Sequence, residues 1–293
     1  RNRTEEKYLI TCGACAGLAA AFNAPLAGVL FALEEVHRNF NPKVLLSAMA
    51  AAITADVVSK LFFGMGSTFA AAPVQLLPLS YYLLLVAFGA ALGLFGAFYN
   101  KTLLFSQRLY AKLPLSQPVK MMIPFAFAGL FGLFLPQVLG GGHSMIESLL
   151  HGEYALGLIV ILLVGKFIFS MISYGSGAPG GIFFPLLVLG SLSGALFGQL
   201  AIHLSVVPSA YAVNFMLLGM AGMFTAIVRA PLTGIILIVE MSGSLTQLLS
   251  LSQVSICAYL VADLCRSKPV YESLLENLHP SGQSAAQPGE RIF

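Results

Sequence analysis

One short pattern occurs twice in the 293 residues, and it limits the possible folds more than any other feature. Ala24-Pro25-Leu26-Ala27-Gly28-Val29-Leu30 returns as Ala230-Pro231-Leu232-Thr233-Gly234-Ile235-Ile236, at an offset of 206. Glu34 matches Glu240, and Gly13 matches Gly219, at the same offset. Each copy sits in an apolar run, 8–33 or 212–240, that is broken in its middle. A proline there ends one helix and fits the first turn of the next. Paired Pro-interrupted segments at corresponding places in two halves point to a membrane transporter built from inverted repeats.

The flanks supply the inversion. Arg1, Arg3 and Lys7 precede the first copy and Arg38 and Lys43 follow it, whereas the second copy has no basic residue within several positions of either end. Positive charge marks the cytoplasmic side, so the first copy is expected to open on the cytoplasm and the second outside. The division expected is 1–63 for the C-terminal part of the first repeat and 79–265 for a complete second repeat. The segment 266–278 then forms a short amphipathic helix, and 279–293 a disordered tail. Counting from a start near residue 79, about 125–130 residues of the first repeat are expected to lie before Arg1.

Composition agrees with an all-α, polytopic membrane protein. Apolar residues make up 58% of the chain and charged residues 9%, against about 25% charged in a soluble domain. Further apolar runs near 44–63, 79–104, 121–139, 154–173, 182–204 and 245–265 approach the ~20 residues that a spanning helix needs. A net charge of +3 without a basic cluster excludes a nucleic-acid partner. Cys12 and Cys15 have redox spacing but lie in an Ala/Gly-rich apolar segment. They read as small packing residues, and no metal ligand set or cofactor is expected.

Between two of the runs lies Tyr174-Gly175-Ser176-Gly177-Ala178-Pro179-Gly180-Gly181-Ile182-Phe183-Phe184-Pro185. Four glycines and a proline within 175–182 cannot continue a helix. A new helix should start directly afterwards, with free amides at Gly181, Ile182 and Phe183. Such a start binds an anion through N–H groups and the positive dipole end. Taken alone, a Gly/Pro stretch more often reads as a loop at the membrane surface; the internal repeat and the tyrosine near the C-terminus weigh against that.

Three motifs resemble the CLC family of chloride channels and chloride/proton antiporters, in the family's order and over nearly the whole chain. Gly177 to Pro185 is similar to the family's GxFxP helix start. Gly17 to Gly28 followed by Glu34-Glu35 resembles its helix pair ending at the internal glutamate. Lys268-Pro269-Val270-Tyr271 resembles the segment that presents the pore tyrosine.

The resemblance implies chloride as the transported ion, with Ile182 and Phe183 as amide donors beside Gly181 and Tyr271 giving its hydroxyl. It implies Glu35 as the proton-transfer acid, which tilts the reading to antiport rather than a passive channel. It also implies a homodimer in the plasma (inner) membrane with a cytoplasmic tail. On the residues alone, Tyr271 more often reads as an interface-belt tyrosine, and Glu34 or Glu35 reads equally as a solvated acid beside Arg38. A membrane enzyme is the rival class, but its polar groups form no nucleophile–base pair.

Among the remaining ionisable residues, Arg229 is expected to satisfy loose carbonyls at a helix end. Asp56 and Lys166 are expected to snorkel or pair, and Glu240 to act as a structural acid. His143, His151 and His203 read as loop or interface residues.

Overall fold

The computed structural model describes residues 3–38, 40–64, 66, 68–69, 74–178 and 180–278. Arg1, Pro179 and the tail 279–293, which figure in the expectations above, lie outside the described residues. Among the described residues every regular element is helical: α1 (Arg3–Phe22), α2 (Pro25–Phe31), α3 (Pro42–Phe63), α4 (Tyr82–Lys112), α5 (Gln117–Phe134), α6 (His143–Leu150), α7 (Leu156–Gly175), α8 (Phe183–His203), α9 (Ala212–Val228), α10 (Pro231–Ser242), α11 (Leu248–Leu264) and α12 (Val270–Leu278). Among the described residues six helices are long and apolar enough to cross a membrane: α3, α4, α5, α7, α8 and α9, with α4 and α9 each counted with a leading 3-10 turn.

Burial ranks them. Nearly every residue of α9 is buried, whereas in α5 only Pro124 is. α9 is therefore the centre of the bundle, and α5 lies at its periphery. Glycines let α8 approach α9 closely. A Cβ on Gly190 or Gly194 would run into the α9 backbone at Gly219 or Phe215, and one on Gly219 would strike the carbonyl oxygen of Gly190. Small residues at such crossings replace side-chain bulk with backbone contact.

The backbone repeats as the sequence does. Asn23 and Arg229, 206 residues apart, both adopt the left-handed conformation, at φ 54° and 71°. Ala24 and Ala230 follow in matching non-helical conformations (φ -135°, ψ 74° and φ -115°, ψ 79°), then Pro25 and Pro231 in the first helical turn. A Cβ on Gly28 would meet the carbonyl oxygen of Cys15 on α1, and one on Gly234 would approach that of Ala221 on α9. Both second helices thus lie tightly against the helix before them.

The two pairs are also tied to each other. Glu34 accepts hydrogen bonds from the amides of Leu232 (3.2 Å) and Thr233 (2.8 Å) and from the Thr233 hydroxyl (2.8 Å). Glu240 accepts from the amides of Leu26 (3.0 Å) and Ala27 (2.8 Å).

Three stretches outside the apolar runs are also helical. The basic segment 101–120 is helical to Lys112, because α4 continues beyond its apolar part. The stretch carrying Glu147 forms α6 rather than a loop, with Met145, Ile146 and Leu149 buried on one face. The polar start of the chain is helical from Arg3. Cys12 and Cys15 are free thiols, and Cys15 donates to the carbonyl of Ala48 on α3 at 3.3 Å, within helix packing.

Candidate functional site

The Gly/Pro stretch ends α7 at Gly175 and starts α8 at Phe183, with Ile182 as the preceding cap. Gly177 takes φ +74°, a conformation that a side chain would strain. The carbonyl of Ile182 already accepts from the Leu186 amide at 3.3 Å, so the helical ladder begins here. Among the described residues, the amides of Gly181, Ile182 and Phe183 donate to no carbonyl. Ile182 and Phe183 are buried, while Gly181 is exposed. These are the free donors of a helix start, aligned with its positive end.

A series of rings links this start to α12. The Phe183 ring lies 4.8 Å from Phe22, 4.8 Å from Phe224 and 5.8 Å from Phe31 between centroids. Phe31 in turn meets Tyr271 edge-on at 6.0 Å. One phenylalanine therefore separates Phe183 from the tyrosine. Burial pushes the Tyr271 phenol above its ordinary pKa and the nearby Glu35 charge adds to this, so its proton stays available for donation.

Tyr271 is held in place from behind. The Asn100 amide, on α4, donates to the carbonyls of Ile227 (3.1 Å) and Lys268 (3.1 Å) and to the Ser267 hydroxyl (3.2 Å). Arg229 donates to the carbonyls of Tyr259 and Ser267 and lies over the Tyr259 ring at 4.8 Å. Arg229 thus satisfies helix-end carbonyls, as its position suggests. They belong to α11 and the turn after it, not to its own helix.

Glu34 and Glu35 lie in a π turn, Ala32–Val36, which extends α2. The turn is closed by the His37 amide donating to the Ala32 carbonyl at 2.7 Å. Glu35 lies outside the six spanning helices, and its side chain is only 8% exposed. Arg38 reaches it at 3.3 Å and bridges to Glu272, beside Tyr271, at 3.2 Å. Burial raises the Glu35 pKa above the ordinary carboxylate value, and the Arg38 guanidinium works against that rise. A buried acid with a raised pKa, next to a phenol and one salt-bridge partner, can take up and release a proton.

Of the residues singled out in the sequence, Ile182, Phe183, Tyr271 and Glu35 converge on one region. Gly181 faces a neighbouring cavity. Sequence reasoning missed Phe31, Asn100 and the Arg38–Glu272 bridge. A lone amide in the apolar run around Asn100 was a usable signal. Phe31 carried none. A larger cavity of about 680 Å³, lined by Arg108, Lys120, Gln117, Tyr174, Ser176 and Leu274, reaches the same loop from the α12 side.

Comparison with known proteins places this geometry. Residues 1–263 match the family described as voltage gated chloride channel. The H(+)/Cl(-) exchange transporter ClcA of Vibrio cholerae is 35% identical over 286 residues, covering 94% of this chain and 60% of its own length. ClcA of Klebsiella pneumoniae is 33% identical over 282 residues, with the same coverage. The crystal structure of a slow cyanobacterial Cl-/H+ antiporter superposes with a TM-score of 0.86 at 30% identity, over 92% of this chain and 64% of that one. A CLC-type fluoride/proton antiporter has a TM-score of 0.74 at 24% identity, a likeness of fold. The chain spans about 60% of the length of these curated relatives.

Proposed function

The chain belongs to the voltage gated chloride channel family, and from that premise we propose that the protein exchanges chloride for protons across a membrane. The amides of Gly181, Ile182 and Phe183 replace part of the ion's hydration shell, and the Tyr271 hydroxyl donates to the same ion. Neutral donors suit an ion that must leave as readily as it arrives. Glu35 passes the proton between the Tyr271 side and solution. Residues 1–63 and 79–265 serve as two inverted halves, followed by α12. The working unit is a homodimer in the plasma (inner) membrane, with the C-terminus in the cytoplasm.

The observation that carries this reading is the approach of Tyr271 to the start of α8 through Phe31, where the amides of Gly181, Ile182 and Phe183 donate to no carbonyl among the described residues. The relatives named as H(+)/Cl(-) exchange transporters support it. The test is chloride uptake into liposomes holding the protein, with an imposed pH gradient and no chloride gradient. Exchange predicts uphill chloride accumulation that collapses with a protonophore. Chloride flux that runs only down its own gradient would replace the proposal with a passive channel, and absence of any flux would overturn it.

A further inference from the structure

A cation is buried beside the proposed anion site. Lys166 lies in the middle of α7 and is 2% exposed. Its ammonium donates to the carbonyls of Val138 (2.9 Å) and Gly140 (2.8 Å), in the turn and glycine run that follow α5. Among the described residues no carboxylate pairs with it. Two carbonyls use two of the three N–H donors and leave the charge uncancelled. Hydrogen bonding alone does not account for a lysine here, since a neutral amide could serve both carbonyls. An unpaired charge at membrane depth is costly, and such groups mark function.

The surroundings of Lys166 say what the charge faces. It lines a cavity of about 160 Å³ together with Ser170, Ser173 and Tyr174 of α7 and with Gly180, Gly181 and Pro185 at the start of α8. The Tyr174 hydroxyl donates to the Gly180 carbonyl at 3.3 Å across the same space. The backbone proposed to bind the anion therefore forms part of the wall of a lysine-lined cavity. At low effective dielectric, a unit charge acts over such distances with little screening.

We propose that Lys166 is a positioning residue whose buried positive charge, beyond its hydrogen bonds, sets how tightly the amides of Gly181, Ile182 and Phe183 hold chloride. This rests on the chloride-binding reading above and deepens it: the helix start supplies direction, and the lysine supplies a fixed background potential that favours an anion and repels a cation. The role needs a formal charge in the cavity, and it does not need contact between lysine and ion.

The test is calorimetric titration of chloride into the purified protein in chloride-free detergent buffer, alongside thermal unfolding. Lys166→Gln removes the charge while keeping side-chain N–H donors, and is expected to bind chloride about three- to tenfold more weakly. Lys166→Arg keeps the charge and is expected to stay close to the unmodified protein. Ser170→Asp, one turn along α7 and lining the same cavity, keeps the lysine clamp but neutralises its charge. It is expected to weaken chloride to a similar degree, and it keeps the inference testable if Lys166→Gln fails to fold. Unchanged affinity in Ser170→Asp or in folded Lys166→Gln, or an equal loss in Lys166→Arg, would overturn the inference while leaving the chloride site standing. Absence of chloride binding by the unmodified protein would overturn both.

Discussion

Glu34 and Glu240 each cap the helix that carries the other. Glu34 bonds the first amides of α10, on which Glu240 lies, and Glu240 bonds the first amides of α2, whose π extension holds Glu34. Each acid stands toward the C-terminal end of its own helix, where the dipole disfavours it, but at the N-terminal end of its partner, where the dipole favours it. The antiparallel arrangement turns two unfavourable positions into two favourable ones. Replacing either acid with alanine is expected to cost about 1–2 kcal/mol of stability, the usual range for a lost N-cap, and to lower the unfolding temperature in detergent. Glutamine at either position should retain part of the loss, and an unaffected melting curve for both alanine variants would contradict the caps.

Tyr271→Phe keeps the edge contact with Phe31 and removes only the hydroxyl. Chloride affinity should fall about fivefold, the worth of one hydrogen bond, with the unfolding temperature unchanged. A fall in stability without a change in affinity would return Tyr271 to a packing role.

The Glu35 carboxyl has a raised pKa, so the folded protein holds its proton to higher pH than an unfolded chain would. Its contribution to stability is present below the ordinary carboxylate pKa and is lost as pH rises through the raised value. Proton-driven chloride uptake should decline over the same upward interval. Arg38 holds that value down, so Arg38→Ala should shift the pH of half-maximal uptake to the alkaline side. Glu35→Ala should abolish proton coupling while chloride still passes. Coupling that survives in Glu35→Ala would remove the acid from the proton route.

Gly13 and Gly219 are matched in sequence but not in surroundings. A Cβ at Gly219 meets the backbone of Gly190 and Gly194, whereas one at Gly13 meets nothing within 4 Å. Gly219→Ala should destabilise by about 1–3 kcal/mol through overpacking. Gly13→Ala should be neutral or stabilising by up to about 1 kcal/mol, as for glycine in a helix. Thermal unfolding of the two variants side by side distinguishes a crossing point from an open face.

The spans, both Ala-Pro breaks and the α8 start were legible because each is a local property: run length, a missing donor, a cluster of residues without Cβ. α6 was not, since three glycines precede it and its eight residues bury a face only by docking against α8. The partners of Glu34 and Glu240 lie 198–199 and 213–214 residues away, where no local pattern reaches. The matching offset nevertheless announced that the two acids are equivalent. The charge on Lys166 was visible in sequence, but its carbonyls and its cavity were not, because loop packing after α5 decides them.

The extra residue accommodated in the turn Ala32–Val36 has a consequence for these two neighbouring acids. It allows Glu34 to be committed to architecture on another part of the chain while Glu35, one peptide bond away, remains free to change its charge. Under the exchange proposed above, proton gain and loss at Glu35 would be separated from the fastening at Glu34, so the bundle would stay rigid while its chemistry turns over.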